Sequence, residues 1–150
     1  MSKEQQLLDQ VKTLMRVMLI SERTPPEHQH IIKFNPLDFH TLGMVRDAPG
    51  VRAGTVVAAL GIAPTTASSV IGRLINRGLI QRQQCTDDRR AYELFLTDEG
   101  QQIADTINRQ DLQNMGLFLS ALTDREQDQM LNLLSKVVER VAALEDAGSG

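Results

Sequence analysis

Prolines and glycines between Pro36 and Gly78 leave no room for a long element in the middle of this chain, and that limits the fold more than any other feature. "FNPLDFHTLGMV" opens a helix: Asn35 can cap it, Pro36 suits its first position, and Asp38 falls in the first turn, where the helix dipole favours an acid. "APG", Ala48 to Gly50, stops it. Val51-Arg52 is long enough only for a minimal strand, "GTVVAAL" is a short helix closed by Gly61, and "APTTASSVIGRLINRG" opens on Pro64 and ends at Gly78, a good C-terminal cap residue. Ala63 is a poor N-cap, so that start is less well marked than the others. "LIQRQQ" and "AYELFL" are short strands, with Tyr92, Leu94 and Leu96 alternating with Glu93 and Phe95, and the residues Cys85–Arg90 between them form a hairpin tip.

Longer elements flank this middle. Leu7, Val11, Leu14 and Met18 recur at helical steps, Leu8 and Met15 widen that face, and the helix should end near Ser21, where "SERTPPEHQH" begins. Thr97-Asp98-Glu99 starts another helix with acids in its first turn, and its polar middle "NRQDLQN" is a place where it can bend. Thr123-x-x-Glu126 is a capping box. Behind it Met130, Leu134, Val137, Val141 and Leu144 form a heptad seam, and "EDAGSG" reads as a frayed tail. The fold class is therefore mainly α with a small β-hairpin wing. A winged helix-turn-helix at 35–100 is flanked by an N-terminal helix and loop at 1–34 and by C-terminal helices at 101–150. The flanking seams have apolar surface to hide.

Length fits one domain with a real core: 150 residues. Aromatics make up 3% of them, so that core must be aliphatic, which favours helices. The single cysteine, Cys85, cannot staple the chain to itself. No apolar run approaches a membrane span, and "MSKEQQLLDQ" has no secretory apolar region, so we expect a cytoplasmic protein without a membrane partner. Net charge is −3, but its distribution is uneven. Residues 49–90 carry six arginines against two aspartates, a net +4, and no acid occurs between Asp47 and Asp87. Residues 91–150 hold four basic and eleven acidic groups, a net −7. A positive segment inside an acidic chain points to an anionic partner, unless the charges are merely unevenly sampled.

The helix "PTTASSVIGRLINRG" turns Ala67, Val70, Ile71 and Leu74 inward and offers Thr65, Thr66, Ser68, Ser69, Gly72, Arg73, Asn76 and Arg77 outward. Small hydroxyls near a helix N-terminus suit a DNA major groove, because they reach phosphates or base edges without holding the backbone away; a plain solvated face is the alternative. Arg73 can take a guanine or a phosphate, and Gly72 suggests close approach of another surface. In "TDDRRAY" the acids run straight into Arg89 and Arg90 on a protruding tip. Arginine is favoured in a narrow minor groove. Asp88 can aim the Arg90 guanidinium by a charge-assisted pair, while Asp87 reads as plain surface charge. A self-neutralising turn that only aids solubility is the competing reading.

At this point the chain resembles the MarR family of bacterial transcription regulators (multiple antibiotic resistance regulator), from about Phe34 to Gly100. The resemblance is carried by "GIAPTTASSVIGRLINRGLIQR" and by "DDRRAYELFLTDEG". In the latter, Asp88-Arg89-Arg90 fits the family's D-x-R, and Leu96-Thr97 with Gly100 fits L-T-x-x-G. It implies a homodimer with intertwined terminal helices, built on Leu7, Val11, Leu14, Met18, Met130, Leu134, Val137, Val141 and Leu144. It further implies a pseudo-palindromic operator in double-stranded DNA, read by recognition helices in major grooves and wings in minor grooves. Pro64, Thr65, Thr66, Ser68, Ser69, Arg73 and Arg77 would serve in the recognition helix, and Asp88, Arg89 and Arg90 in the wing. Where the family often caps its short helices with Ser or Thr, this chain has Arg52 and Ala63; Arg52 is assigned a phosphate contact instead. Repression relieved by a small lipophilic or phenolic effector is the regulatory mode implied. The effector cleft would be lined by Met15, Leu19, Phe34, Phe39 and His40, residues equally suited to core packing.

Other chemistries are less well supported. His28 and His30 with Glu27 and His40 lack a diagnostic metal-ligand spacing, and no metal or other cofactor is expected. Cys85 near Arg82, Arg89 and Arg90 is either a thiol of lowered pKa or a bystander. The chain has no Gly-rich phosphate loop, no Ser-His-Asp grouping and no acid pair in a cleft-like context, so we expect no enzyme. The alternative function is a winged helix used only for protein contacts or, behind it, a metal- or redox-responsive regulator.

Overall fold

The computed structural model describes residues 1–19 and 36–148. The expected roles of Phe34, Asn35, Glu27, His28 and His30 lie outside these residues, as does that of the Leu19 side chain. Helix α1 spans Lys3–Leu19 and α2 spans Pro36–Asp47. Strand β1 is Val51–Arg52, followed by α3 at Ala53–Leu60 and α4 at Pro64–Asn76. Strands β2 (Ile80–Gln84) and β3 (Tyr92–Leu96) precede α5 at Asp98–Leu119 and α6 at Asp124–Gly148. The chain packs as two compact units, Met1–Asp111 and Leu112–Gly150. Among the described residues no single helix is long and apolar enough to cross a membrane.

In the first unit the short elements close as their local residues dictate. Gly61 takes the left-handed conformation at φ +62° and its N–H returns to the Val57 carbonyl at 3.0 Å, ending α3. Pro64 opens α4, and the chain turns by 118° between the two helices, as a helix-turn-helix requires. The sheet has order β1-β3-β2 and is antiparallel throughout, with Ile80 opposite Leu96 and Gln84 opposite Tyr92. The core gathers Leu42 and Val45 from α2, Val56 from α3, and Val70, Ile71 and Leu74 from α4. Leu79, Ile80, Leu94 and Ile103 complete it, all at most 7% exposed. At about 25 cal/mol per Å² of apolar surface, this continuous cluster is the main force holding α4 on the module.

The L-T-x-x-G stretch has a purely architectural basis. Thr97 caps α5, its hydroxyl accepting from the Gly100 N–H at 3.1 Å and donating to the Gly78 carbonyl. The Thr97 N–H also donates to the Leu79 carbonyl at 3.1 Å. A Cβ on Gly100 would collide with that same Leu79 backbone, so glycine is needed for the close approach. Helix α5 runs unbroken, and the polar "NRQDLQN" does not interrupt it. Arg46 on α2 reaches Asp105 on α5 at 2.7 Å.

In the second unit the capping box forms in both directions. The Glu126 N–H donates to Thr123 Oγ1 at 3.2 Å, and the Thr123 N–H donates to Glu126 Oε1 at 2.9 Å. Helix α6 then carries no buried residue. Leu134, Val137, Val141 and Leu144 stay 49–60% exposed, and on α1 Leu7, Val11, Leu14 and Met18 stay 37–61% exposed. Met130 is half-buried. Leu131, Leu133 and Val138, which the heptad reading omitted, widen the apolar face of α6.

Candidate nucleic-acid interface

Helix α4 presents the surface its sequence pattern anticipates. Ala67, Val70, Ile71 and Leu74 are buried, while Pro64, Thr65, Ser68, Ser69 and Arg77 are exposed and Thr66 is half-buried. Ala63 supplies no side-chain cap, and Arg52 supplies none to α3, so the first-turn N–H groups of both helices lack the side-chain acceptor that Ser or Thr would give. The Ser69 hydroxyl donates back to the Thr65 carbonyl at 3.1 Å. Nothing in the described chain lies within 4 Å of where a Gly72 Cβ would stand, so the protein itself does not impose that glycine. Helix α3 is as apolar as its sequence indicates: Val56 is buried in the core, yet Gly54, Thr55, Ala58 and Ala59 are exposed.

The wing tip differs from expectation in its connections. Asp88 does not hold the Arg90 guanidinium; its carboxylate accepts from the Arg90 backbone N–H at 3.0 Å. Two residues of separation in a turn bring the i+2 amide to the carboxylate, a short Asx-type closure, before the long arginine side chain can fold back. Gln84 Nε2 donates to the Arg89 carbonyl at 2.6 Å and the Cys85 N–H donates to the Ala91 carbonyl at 3.0 Å, tying both strands to the loop. The Arg89 and Arg90 side chains are exposed, and neither has an ion-pair partner among the described residues.

Asp87 is not idle surface charge. It accepts from Arg52 Nη2 at 3.1 and 3.2 Å, and this hydrogen bond holds its carboxyl below the usual range. Arg52, anticipated as a phosphate contact, braces β1 to the wing through this pair. Arg73 is also engaged: its Nη2 donates to Asp38 Oδ1 at 2.8 Å, and the Asp38 side chain is 4% exposed. Sequence reasoning gave Asp38 only its place in the first turn of α2. Neither pairing has a local signal, since 35 residues separate the partners in each.

Cys85 is 3% exposed, and burial pushes its thiol above the ordinary cysteine value, with the Glu93 carboxylate at 3.7 Å adding to the rise. Arg52 opposes this but does not reverse it, which counts against the lowered-pKa reading. Of the anticipated cleft residues, Phe39 packs against the core, whereas Met15 and His40 are exposed. Among the described residues no group of three or more His, Cys, Asp or Glu is placed to hold a metal ion.

A helix-turn-helix followed by a braced, arginine-tipped hairpin defines a winged-helix DNA-binding protein. The sequence model of the MarR family matches residues 33–91. The HTH-type transcriptional regulator PecS of Dickeya dadantii (strain 3937) is 28% identical over 130 residues, 85% of this chain and 78% of that protein. The transcriptional repressor MprA of Escherichia coli (strain K12) is 28% identical over 98 residues, 65% of this chain and 56% of MprA. Among solved structures, Streptococcus pneumoniae FabT in complex with DNA superposes with a TM-score of 0.82 at 20% identity, covering 95% of this chain and 99% of that one. Over its winged module the chain is similar to the MarR family of transcriptional regulators.

Proposed function

We propose that the protein binds a pseudo-palindromic operator as a homodimer, with α4 of each protomer in a major groove and each wing in a flanking minor groove. The observation that carries this reading is the wing tip. Among the described residues Arg89 and Arg90 have no ion-pair partner, while the acids beside them are engaged: Asp87 by Arg52 and Asp88 by a backbone amide. The positive field of the tip is thus directed outward, where the negative potential of a narrow groove rewards it. Thr65, Thr66 and Ser68 add small donors at the uncapped start of α4. The exposed leucines and valines of α1 and of α6 support the dimer.

For the output we infer repression by occupancy of the operator, the sense that the name of MprA carries for that protein. Relief by a small apolar effector belongs to the same family-based reading. The test is binding to duplexes selected from random DNA across a salt series. Affinity should fall steeply as salt rises, and Arg90→Ala should lower the slope of log K against log salt by about one. Indifference to every duplex in dilute buffer would leave a winged helix that contacts only protein.

A further inference from the structure

We propose that Arg82, laid on the Tyr92 ring, is a third arginine contact of the wing and grips a DNA phosphate at the edge of the groove that the tip enters. This inference deepens the DNA-binding reading above and rests on it. Ile80, Arg82 and Gln84 share one face of β2, opposite Leu96, Leu94 and Tyr92 of β3. Ile80 and Leu94 carry that face into the core, and Arg82 and Tyr92 continue it past the core's edge, where both are exposed. The Arg82 guanidinium carbon stands 5.0 Å from the centre of the Tyr92 ring, a diagonal cross-strand pairing that a long side chain and an aromatic can span. The acid of β3, Glu93, alternates to the other face, opposite Gln83.

What the ring does for Arg82 separates it from other arginines of the module. Arg52 and Arg73 spend guanidinium N–H groups on carboxylates, those of Asp87 and Asp38. Arg82 has no ion-pair partner among the described residues. A ring engages the flat face of a guanidinium and leaves the N–H donors along its edge free. Held that way, the group keeps its charge available and loses less freedom when it meets an anion. Position then selects the anion. Arg82 stands two residues short of the end of β2 at Gln84, about 7 Å back along the strand at about 3.3 Å per residue. A minor groove is about 7.5 Å deep. With Arg89 and Arg90 inside it, a side chain set that far behind the tip meets the phosphates along its edge. A contact of that kind adds affinity without reading a base.

The full-length parent, Arg82→Gln, Arg82→Lys, Tyr92→Phe and Tyr92→Leu, each titrated over a salt series with a duplex selected from random DNA and with an unrelated duplex, test the assignment. Arg82→Gln should weaken binding to both duplexes by the same factor and lower the slope of log K against log salt by about one. Arg82→Lys keeps the charge and should keep the parent's slope. Tyr92→Phe keeps the ring and should bind as the parent does. Tyr92→Leu should bind about threefold more weakly at an unchanged slope, since the charge remains but has to be ordered on contact. Should Arg82→Gln fail to fold, Arg82→Thr, a residue that strands favour, replaces it with the same expected slope. A loss confined to the selected duplex would make Arg82 a base reader and overturn the phosphate assignment. Tyr92→Leu binding as tightly as the parent would overturn the role of the ring. Failure of the parent to bind any duplex sinks the DNA-binding reading together with this one. A parent that binds, with Arg82→Gln at the parent's slope, sinks this one alone.

Discussion

The winged module and the terminal helices use the same aliphatic residues in opposite ways. In the module Leu42, Val56, Leu74 and Leu94 are at most 1% exposed, and the chain closes on itself. In α6 Leu131, Leu133, Leu134 and Val138 are 50–63% exposed, and α1 leaves Leu7 at 61%. A sequence that patterns both regions with equal regularity has thus made one self-sufficient and left the other unfinished. Exposed apolar surface of this extent is unfavourable in water and marks a surface meant to be covered. Stability of the module is then a property of one chain, whereas that of the α1 and α6 seams, if a second copy closes them as proposed, depends on concentration.

The largest effect should come from placing a charge in the seam. Val137→Asp is expected to leave the module folded, convert the protein to monomers in analytical ultracentrifugation, and lower operator affinity by more than about a hundredfold, since two half-site contacts would no longer be linked. A variant that sediments as the parent does would remove the distinction drawn between the two regions. Next in size is Leu74→Ala, which opens a cavity in a fully buried site. It should cost about 2–5 kcal/mol of unfolding free energy, with the same loss at every protein concentration. Leu134→Ala, by contrast, should show a melting temperature that rises with concentration. If the two variants behaved alike, both regions would be parts of one cooperative fold.

The regularity that makes both regions visible in the sequence also shows where sequence reading stops. Element ends were legible because single residues set them: Pro64 and Gly61 by backbone geometry, Thr123 with Glu126 by reciprocal caps. The inward face of α4 was legible because burial follows helical period. The polar contacts of the interface were not. Asp38–Arg73 and Arg52–Asp87 join elements whose relative placement depends on the packed core, and a charge pattern along the chain carries no trace of it. At the wing the partners were right and the atom was wrong, since Asp88 meets the Arg90 amide and not its guanidinium. In the seams, Leu131, Leu133 and Val138 escaped notice because a strict heptad picks out a narrower stripe than the helix exposes.

The smallest expected effect concerns acid, and it separates the two regions by the kind of carboxylate each uses. Hydrogen bonding to Arg46 holds the Asp105 carboxyl below its ordinary range, with Gln101 contributing, and bonding to Thr123 does the same for Glu126. A carboxyl whose pKa is lowered on folding stabilises the native state above its unfolded value, and that contribution is lost as pH falls through the folded one. Both contributions should therefore be constant from about pH 5 upward and fade below about pH 4. Asp105→Asn gives up the charge that Arg46 needs, so its melting temperature should lie below the parent's by a constant margin near neutrality, and the gap should close in acid. Glu126→Gln keeps an oxygen that can accept from the Thr123 amide, because a capping box works with either residue. Its margin should be smaller, and it too should narrow below about pH 4. Melting curves across that range would reverse the contrast if Glu126→Gln showed the larger margin and Asp105→Asn none, for then the Thr123 cap would depend on charge and the Arg46 pair would not.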